Sequence, residues 1–211
     1  MAPRTFHWED CAEALDEFRS FEREEKRATF LGDGVRVTPP LVFPVSDACR
    51  SIDDYLAALP DEPGDHTVIL MQAGAVSLGR FEAAEEVATK SMKRYVVRGK
   101  GRAQQSYLDS KGKSRYGSRL RLQNAKRLLE ETNEKLNEWE EEFGPPDLIF
   151  FNSPIRVWPD LFKVKPDPPF TKDDERLVRI PRDLPKPTTD VLLRTYKSLC
   201  YGRIDEVDVT D

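Results

Sequence analysis

The sequence predicts an α/β fold: a single domain with a mixed central β-sheet that is flanked by helices. Short runs rich in β-branched and aromatic residues lie on both sides of one long amphipathic pattern. Glycine and proline separate most of these runs, as they do at the ends of strands and helices. Strands grouped before and after a long helix favour a mixed sheet over a purely antiparallel one.

The predicted sheet begins with a hairpin. Thr67–Met71 holds four successive apolar residues after a polar turn, and Ala75–Phe81 follows, with Gly74 directly before it and Gly79 near its end. A third strand is predicted at Met92–Arg98, where tyrosine and valine have high strand propensity, and a fourth at Asp147–Asn152, after the long helix.

Apolar residues at helical spacing predict four helices. They cover Phe6–Lys26, a segment capped by Ser46 or Asp47 and stopped by Pro60, a long helix from about Arg119 to Phe143, and a segment capped by Thr188 or Thr189 that ends near Leu199. Trp139 in the long helix and Trp158 beyond it are expected in the core.

We expect three parts within the one domain. Residues 1–66 form an N-terminal helical or irregular part, residues 67–200 the core, and residues 201–211 an acidic tail. No run approaches about 18 apolar residues, and the acid-rich N-terminus has no apolar signal segment. A cytoplasmic location without a membrane partner is therefore expected.

The cysteines and histidines exclude several kinds of site. Cys11, Cys49 and Cys200 are far apart and form no CxxC pair, and His7 and His66 are the only histidines. No zinc site, other metal site or disulfide framework is therefore expected, and no cofactor is predicted. The thiols are expected to be buried, and histidine catalysis has little support.

Charge is strongly segregated along the chain. The net charge is −5, yet residues 90–127 hold thirteen Lys or Arg and a single acid, Asp109, while the rest has 20 bases against 37 acids. A dense basic segment in an acidic protein predicts a surface that binds a polyanion. A merely solvated charged face is the alternative, and it usually explains runs of mixed sign better than this one.

The basic segment contains a long predicted loop, Gly99–Gly117, between the third strand and the long helix. It has no periodicity, and loops of this length are often functional. The helix is expected to open with Arg119 and Arg121 and to close with glutamates, so both ends oppose the helix dipole by about 0.3–1 kcal/mol per exposed charge. A partner explains such placement better than folding does, and an RNA phosphate backbone fits it.

Specific pieces of this segment carry a resemblance. They are Tyr95-Val96-Val97-Arg98, the glycine and lysine loop ending in Gln105-Ser106, and Gly112-Lys113-Ser114-Arg115-Tyr116-Gly117-Ser118-Arg119-Leu120-Arg121 before the helix. Together with flanking pieces, their order and spacing resemble the Vms1-like release factors (VLRF1), relatives of the middle domain of eukaryotic and archaeal peptide release factors. The resemblance covers about Thr67 to Leu199.

The resemblance implies a peptidyl-tRNA hydrolase that releases nascent chains from stalled ribosomes independently of stop codons. Its partners would be large-subunit rRNA and peptidyl-tRNA, with no DNA expected. Gln105 matches the family's catalytic glutamine, and Gln104 takes that place if the register shifts by one. A neutral amide cannot be a general base near neutral pH, but it can orient water, and its backbone N–H can stabilise an oxyanion.

The remaining site residues are bases and glycines of the same segment. The predicted RNA contacts are Lys93, Arg94, Arg98, Lys100, Arg102, Lys111, Lys113, Arg115, Arg119 and Arg121, and the predicted loop hinges are Gly99, Gly101, Gly112 and Gly117.

Two other functions stay open. A non-catalytic factor that binds the ribosome or tRNA would use the same basic loop. A tRNA nuclease ranks last, because the basic segment has no carboxylate cluster or histidine for phosphodiester cleavage.

Overall fold

The computed structural model describes residues 3–25, 27–94 and 113–207, with side chains described from residue 119 onward in the last of these ranges. The strands are β1 Arg4–His7, β2 Glu22–Arg23, β3 Phe30–Gly32, β4 Val35–Thr38, β5 His66–Gln72, β6 Ala75–Glu82, β7 Glu85–Lys93, β8 Leu148–Asn152, β9 Leu177–Arg179 and β10 Tyr201–Glu206. The helices are α1 Cys11–Leu15, α2 Ile52–Ala57, α3 Lys113–Phe143, α4 Trp158–Leu161 and α5 Thr189–Leu199.

The chain divides into two units, Met1–Pro63 with Arg194–Asp211 and Gly64–Leu193. The first unit contains a five-stranded sheet of order β1-β10-β4-β3-β2, in which every pair of neighbouring strands is antiparallel. Asp33 and Gly34 both have positive φ, which suits the two-residue hairpin turn from β3 to β4. Buried aromatic and aliphatic side chains, among them Phe30 and Ile52, form the core of this unit.

The first unit corrects three predictions. The helix predicted over Phe6–Lys26 is wrong: the described part of this segment contains the end of β1, two 3-10 turns, α1 and β2. The acidic tail predicted for residues 201–211 is, over Tyr201–Glu206, the strand β10. The cap of α2 is Ser51 instead of Ser46 or Asp47. Its hydroxyl accepts from the N–H of Asp54, whose carboxylate accepts from the Ser51 N–H in return.

The second unit contains a mixed sheet of order β7-β6-β5-β8-β9. β5, β6 and β7 are joined by two tight turns and are antiparallel, whereas β8 and β9 run parallel to β5. The α/β class with a mixed sheet is therefore confirmed, as are the hairpin and the fourth strand. β7 begins at Glu85, seven residues before the predicted third strand.

Helices cover parts of both faces of this sheet. On one face, Ile69 and Leu78 belong to a buried cluster with Leu136 and Trp139 of α3. Trp158 of α4 also belongs to this cluster, so both tryptophans lie in the core as predicted. On the other face α5 approaches closely, and its predicted cap is confirmed because Thr188 Oγ1 accepts from the Val191 N–H at 3.2 Å.

Candidate nucleic-acid interface

The predicted site lies on the connection from β7 to α3. Its central residues, 95–112, fall outside the described residues. That segment includes both glutamines, four of the predicted RNA contacts and three of the predicted hinges: Gln104, Gln105, Arg98, Lys100, Arg102, Lys111, Gly99, Gly101 and Gly112. The two flanks of the segment are described, and they define where it leaves the fold and where it returns.

Arg94 holds the first flank in place, directly after β7. Its backbone N–H donates to the carbonyl of Gly74 in the β5–β6 turn at 2.9 Å. Two nitrogens of its guanidinium, Nε and Nη2, donate to the Glu131 carboxylate of α3. The bond from Nε to Oε2 is 3.1 Å long. A two-bonded arginine–carboxylate pair fixes direction as well as distance. The end of β7 is therefore tied to the middle of α3.

Glu131 and Gly74 were not identified from the sequence. Glu131 is one of seven glutamates in the second half of α3, and nothing in its spacing distinguishes it from the others. Gly74 takes part through its backbone carbonyl, which leaves no signal in the sequence. Lys93, the next predicted contact, is an exposed residue at the last position of β7.

The second flank is the start of α3, which lies earlier than predicted. The helix begins at Lys113, so Lys113, Arg115 and Gly117 belong to its first turns and not to the loop. Gly117 was predicted as a hinge at the edge of the loop, and an internal glycine weakens a helix by about 1 kcal/mol. The residues around it are mostly good helix formers, and the helix continues through it.

The described side chains in the first half of α3 are not buried. Among its described side chains, those of residues 119–127 are exposed or half-buried, and Leu122 is 70% exposed. Leu128 is the first buried one. Arg119 and Arg121 lie in this unpacked stretch, exposed and half-buried respectively.

The second half of α3 is held firmly by side-chain hydrogen bonds. Asn133 donates to the carbonyls of Leu161 and Pro166 at 2.9 and 2.8 Å. At the C-terminal end, buried Arg80 donates to the carbonyl of Phe143 at 3.3 Å and to Asp65 at 3.0 Å. Gly144 then ends the helix with φ +80°. α3 is therefore anchored along its packed half, whereas residues 119–127 contribute no buried side chain.

The geometry separates the two flanks. Glu131, which holds Arg94, lies eighteen residues after the start of α3, and a helix rises about 1.5 Å per residue, so the two points are roughly 27 Å apart along the axis. The connection between β7 and α3 thus begins beside the sheet and ends at the start of α3, about five helical turns before Glu131.

Charge follows the same division along α3. Residues 113–127 hold six bases and no acid, whereas residues 128–143 hold seven acids and one base. At the junction, Lys126 pairs with Glu130 at 3.1 Å. A basic helix start without an acidic first turn is unfavourable for the helix itself and favourable for an approaching phosphate.

The described residues give no support for a metal site, a disulfide or a membrane-spanning helix. Within residues 3–25, 27–94 and 113–207, no group of three or more His, Cys, Asp or Glu side chains could hold a metal ion. All three cysteines are free and buried. None of the helices in the described ranges is long and apolar enough to span a membrane.

Comparisons with known proteins bear on both the family and the fold. A family model described as bVLRF1, Bacteroidetes VLRF1 release factor, matches residues 66–207. No curated protein matches the chain. A solved structure described as "Vms1 mitochondrial localization core" has a similar fold, with a TM-score of 0.54 and 14% identity, and the match covers 82% of this chain and 74% of that chain.

Proposed function

The chain belongs to the Bacteroidetes VLRF1 release factor family, and we propose that it releases nascent chains by hydrolysing the ester of ribosome-bound peptidyl-tRNA. In this proposal it acts on stalled ribosomes without reading a stop codon. Large-subunit rRNA and the tRNA are its partners. The family match confirms the resemblance seen in the sequence and supports a release-factor role; the reaction and the residues below are our proposal.

One observation carries the proposal: the segment that contains the glutamines is attached to rigid structure at two distant points. Arg94 is bound to Glu131 and to Gly74, and α3 is anchored by its packed half. Eighteen residues separate Arg94 from Lys113. A segment of this length between fixed ends can reach a partner that the sheet itself does not touch.

In the proposed reaction, Gln105 lies beside the ester that joins the peptide to the tRNA ribose. Its amide accepts a hydrogen bond from the attacking water and so orients it. Its backbone N–H donates to the oxyanion that develops on the ester carbonyl oxygen. The attacking water gives up a proton as its oxygen bonds to the ester carbon, and the leaving ribose oxygen takes up a proton as the ester bond breaks. Groups of the ribosomal site or solvent water would carry this transfer. Gln104 has this role if the register differs by one residue.

The bases around the loop are proposed as phosphate contacts. Arg119 and Arg121, on the unpacked half of α3, would bind the RNA backbone next to the loop. Each phosphate contact releases condensed counterions, so binding to ribosomes should weaken steeply with salt. Replacing both arginines with glutamine should lower the slope of log K against log salt by about two.

The decisive experiment measures release of labelled peptide from ribosome-bound peptidyl-tRNA with an empty A site. The parent is compared with Gln105→Ala, Gln104→Ala and, as a matched control, Gln123→Ala, which changes an exposed glutamine of α3. We expect release by the parent, Gln104→Ala and Gln123→Ala, and loss in Gln105→Ala alone. Loss in Gln104→Ala alone would move the catalytic role by one residue, and a parent that binds ribosomes without releasing peptide would refute the enzyme.

A second candidate function rests on the residues before the glutamine. Release factors of the resembled kind have two glycines, or glycine and a small residue, there, whereas this chain has Ala103 and Gln104. Neither adopts positive φ as readily as glycine. A non-catalytic ribosome-binding factor would keep the basic contacts and lose the reaction. Ala103→Gly/Gln104→Gly separates the two, because gain of release in that variant alone would identify the parent as the binding factor.

A further inference from the structure

A cleft lies at the carboxyl ends of the three parallel strands β5, β8 and β9. Its volume is about 710 Å³, and we call it the strand-end cleft. The side chains that matter for its chemistry are Gln72, Asn152, Ser153, Ile155, Arg179 and Arg182. In open α/β sheets, the crevice beyond the carboxyl ends of parallel strands is where ligands commonly bind.

Two half-buried amides, Gln72 and Asn152, form one wall of the cleft. Gln72 Nε2 donates to the carbonyl of Leu184 at 2.9 Å, and Asn152 Nδ2 donates to the carbonyl of Arg182 at 2.8 Å. The Ile180 N–H donates to the Phe151 carbonyl at 2.9 Å and continues the pairing of β8 with β9. The wall that carries the two arginines is therefore fixed to the sheet.

Gln72 and Asn152 have side-chain oxygens that are available as hydrogen-bond acceptors. Both use their NH₂ groups on the wall, and neither amide oxygen accepts a hydrogen bond from a residue in the described part of the chain. An amide oxygen at a half-buried position is a ready acceptor for an amino group of a ligand.

Charge and apolar surface meet in the same cleft. Arg179 is exposed and has no ion-pair partner among the described residues, and Arg182 is exposed as well. Among the described residues that line the cleft, Asp183 is the only acid. Ile155 is 78% exposed, more than any other large hydrophobic residue of the described ranges. Cations, acceptors and an exposed apolar side chain together suit a nucleotide, which has a phosphate, a polar edge and a flat apolar face.

The strand-end cleft and the first flank of the loop lie at the same end of the strands of the second sheet. Gln72 is the last residue of β5, and Gly74, two residues later, accepts the hydrogen bond from Arg94. β9, β8, β5, β6 and β7 are successive neighbours spaced about 4.8 Å apart, so across the sheet Gln72 is roughly 10 Å and Arg179 roughly 19 Å from the end of β7.

We propose that the strand-end cleft binds a short unpaired RNA segment, with its phosphates on Arg179 and Arg182 and a base against Ile155. This inference rests on the proposed function only in taking RNA as the partner. It adds a second contact, separate from the loop and from α3, that would hold the RNA beside the point where the loop leaves the sheet.

Direct binding tests the cleft. Fluorescence anisotropy with the whole chain and a labelled ten-nucleotide single-stranded RNA compares the parent with Arg179→Glu/Arg182→Glu and with Ile155→Ser. The matched control is Lys163→Glu/Lys172→Glu, which makes the same charge change at two exposed lysines of the same unit outside the cleft. We expect the arginine variant to bind at least tenfold more weakly, and more weakly than the lysine control by a similar factor. Ile155→Ser should bind several-fold more weakly at every salt concentration.

Two further measurements keep the outcomes distinct. Arg179→Gln/Arg182→Gln should lower the slope of log K against log salt by about two. The side-chain amide signals of Gln72 and Asn152 should shift on RNA addition in the parent. Three results would each refute the proposed RNA site. They are equally weakened binding in the arginine variant and the lysine control, unchanged amide signals on RNA addition, and binding to anionic vesicles in place of RNA. RNA binding through the cleft by a protein without peptide release would instead refute only the proposed reaction.

Discussion

Acid should destabilise this protein through His66, the first residue of β5. The imidazole is 1% exposed and lies edge-on to the Phe150 ring, with centroids 5.1 Å apart. Burial lowers the pKa of His66 from 6.5 to about 4, with nearby Arg80 acting in the same direction and Asp147 opposing it. The folded state therefore keeps this imidazole neutral at a pH where the unfolded state binds a proton.

The sign and size of the effect follow from that difference. Stability rises with pH wherever the unfolded state binds more protons, so the contribution is fully present above pH 6.5 and is lost as pH falls toward about 4. Each pH unit inside this window costs about 1.4 kcal/mol, and titration of this one group between pH 7 and pH 4.5 should cost about 2.5 kcal/mol.

The assay is urea unfolding followed by circular dichroism at several pH values from 7 to 4.5. His66→Phe removes the titration and retains a ring beside Phe150, so its stability should change with pH by about 2.5 kcal/mol less than the parent's does. His7→Gln, at the other histidine of the chain, is measured alongside as a second histidine replacement. A parent whose stability is flat over this range, or the same slope in His66→Phe, would refute the reasoning.

Three further predictions concern the packing of α3 and the sheet of the second unit. Each is tested by the change in unfolding free energy. Leu128→Ala should cost about 2–5 kcal/mol because the side chain is buried, whereas Leu122→Ala on the exposed half of α3 should change stability by less than about 0.5 kcal/mol; equal costs would place both halves in the core. Gly79→Ala should cost about 1–3 kcal/mol, because the added Cβ would lie 2.7 Å from Leu192 Cδ2; a neutral result would mean that α5 yields easily. Ala84→Gly should stabilise by about 0.5–1 kcal/mol, because Ala84 has φ +69° in the β6–β7 turn; destabilisation would contradict that strain.

The second unit was largely predictable because its signals are local. The β5–β6 hairpin needs only two apolar runs joined by a glycine-containing turn, and α5 needs a threonine cap and an apolar stripe. The buried cluster under α3 follows from helical spacing of its leucines. Each of these features is determined by residues close together in the chain, so a pattern read along the sequence contains the information.

The first unit was poorly predictable because its pairings are distant. β1 pairs with β10, where Arg4 faces Ile204, and no local pattern indicates that contact. The apolar spacing from Ala12 to Phe21 does fit a helix, but α1 ends at Leu15 and a strand follows. β10 consists of alternating polar and apolar residues that resemble an acidic tail until its two neighbours are known.

The start of α3 shows the same limit at the site itself. Two glycines, Gly112 and Gly117, favoured a loop up to residue 117, yet the helix begins at Lys113. One internal glycine costs about 1 kcal/mol, which the hydrogen bonds of a 31-residue helix outweigh. Conversely, the catalytic and phosphate-binding assignments within residues 95–112 came from charge and resemblance alone, and they stay predictions.

The division of charge along α3 coincides with the division of packing, and this bears on what the bases are for. The half that contacts the core carries the acids, and two of these pair with bases at the boundary, Glu130 with Lys126 and Glu131 with Arg94. Residues 113–127 carry six bases and no acid. If these bases served folding, they would be expected near the acids of the packed half, where pairing is possible. Arg119, Arg121 and Arg127 lie instead among side chains that are not buried, so neutralising these three should change RNA binding while leaving the unfolding free energy nearly unchanged.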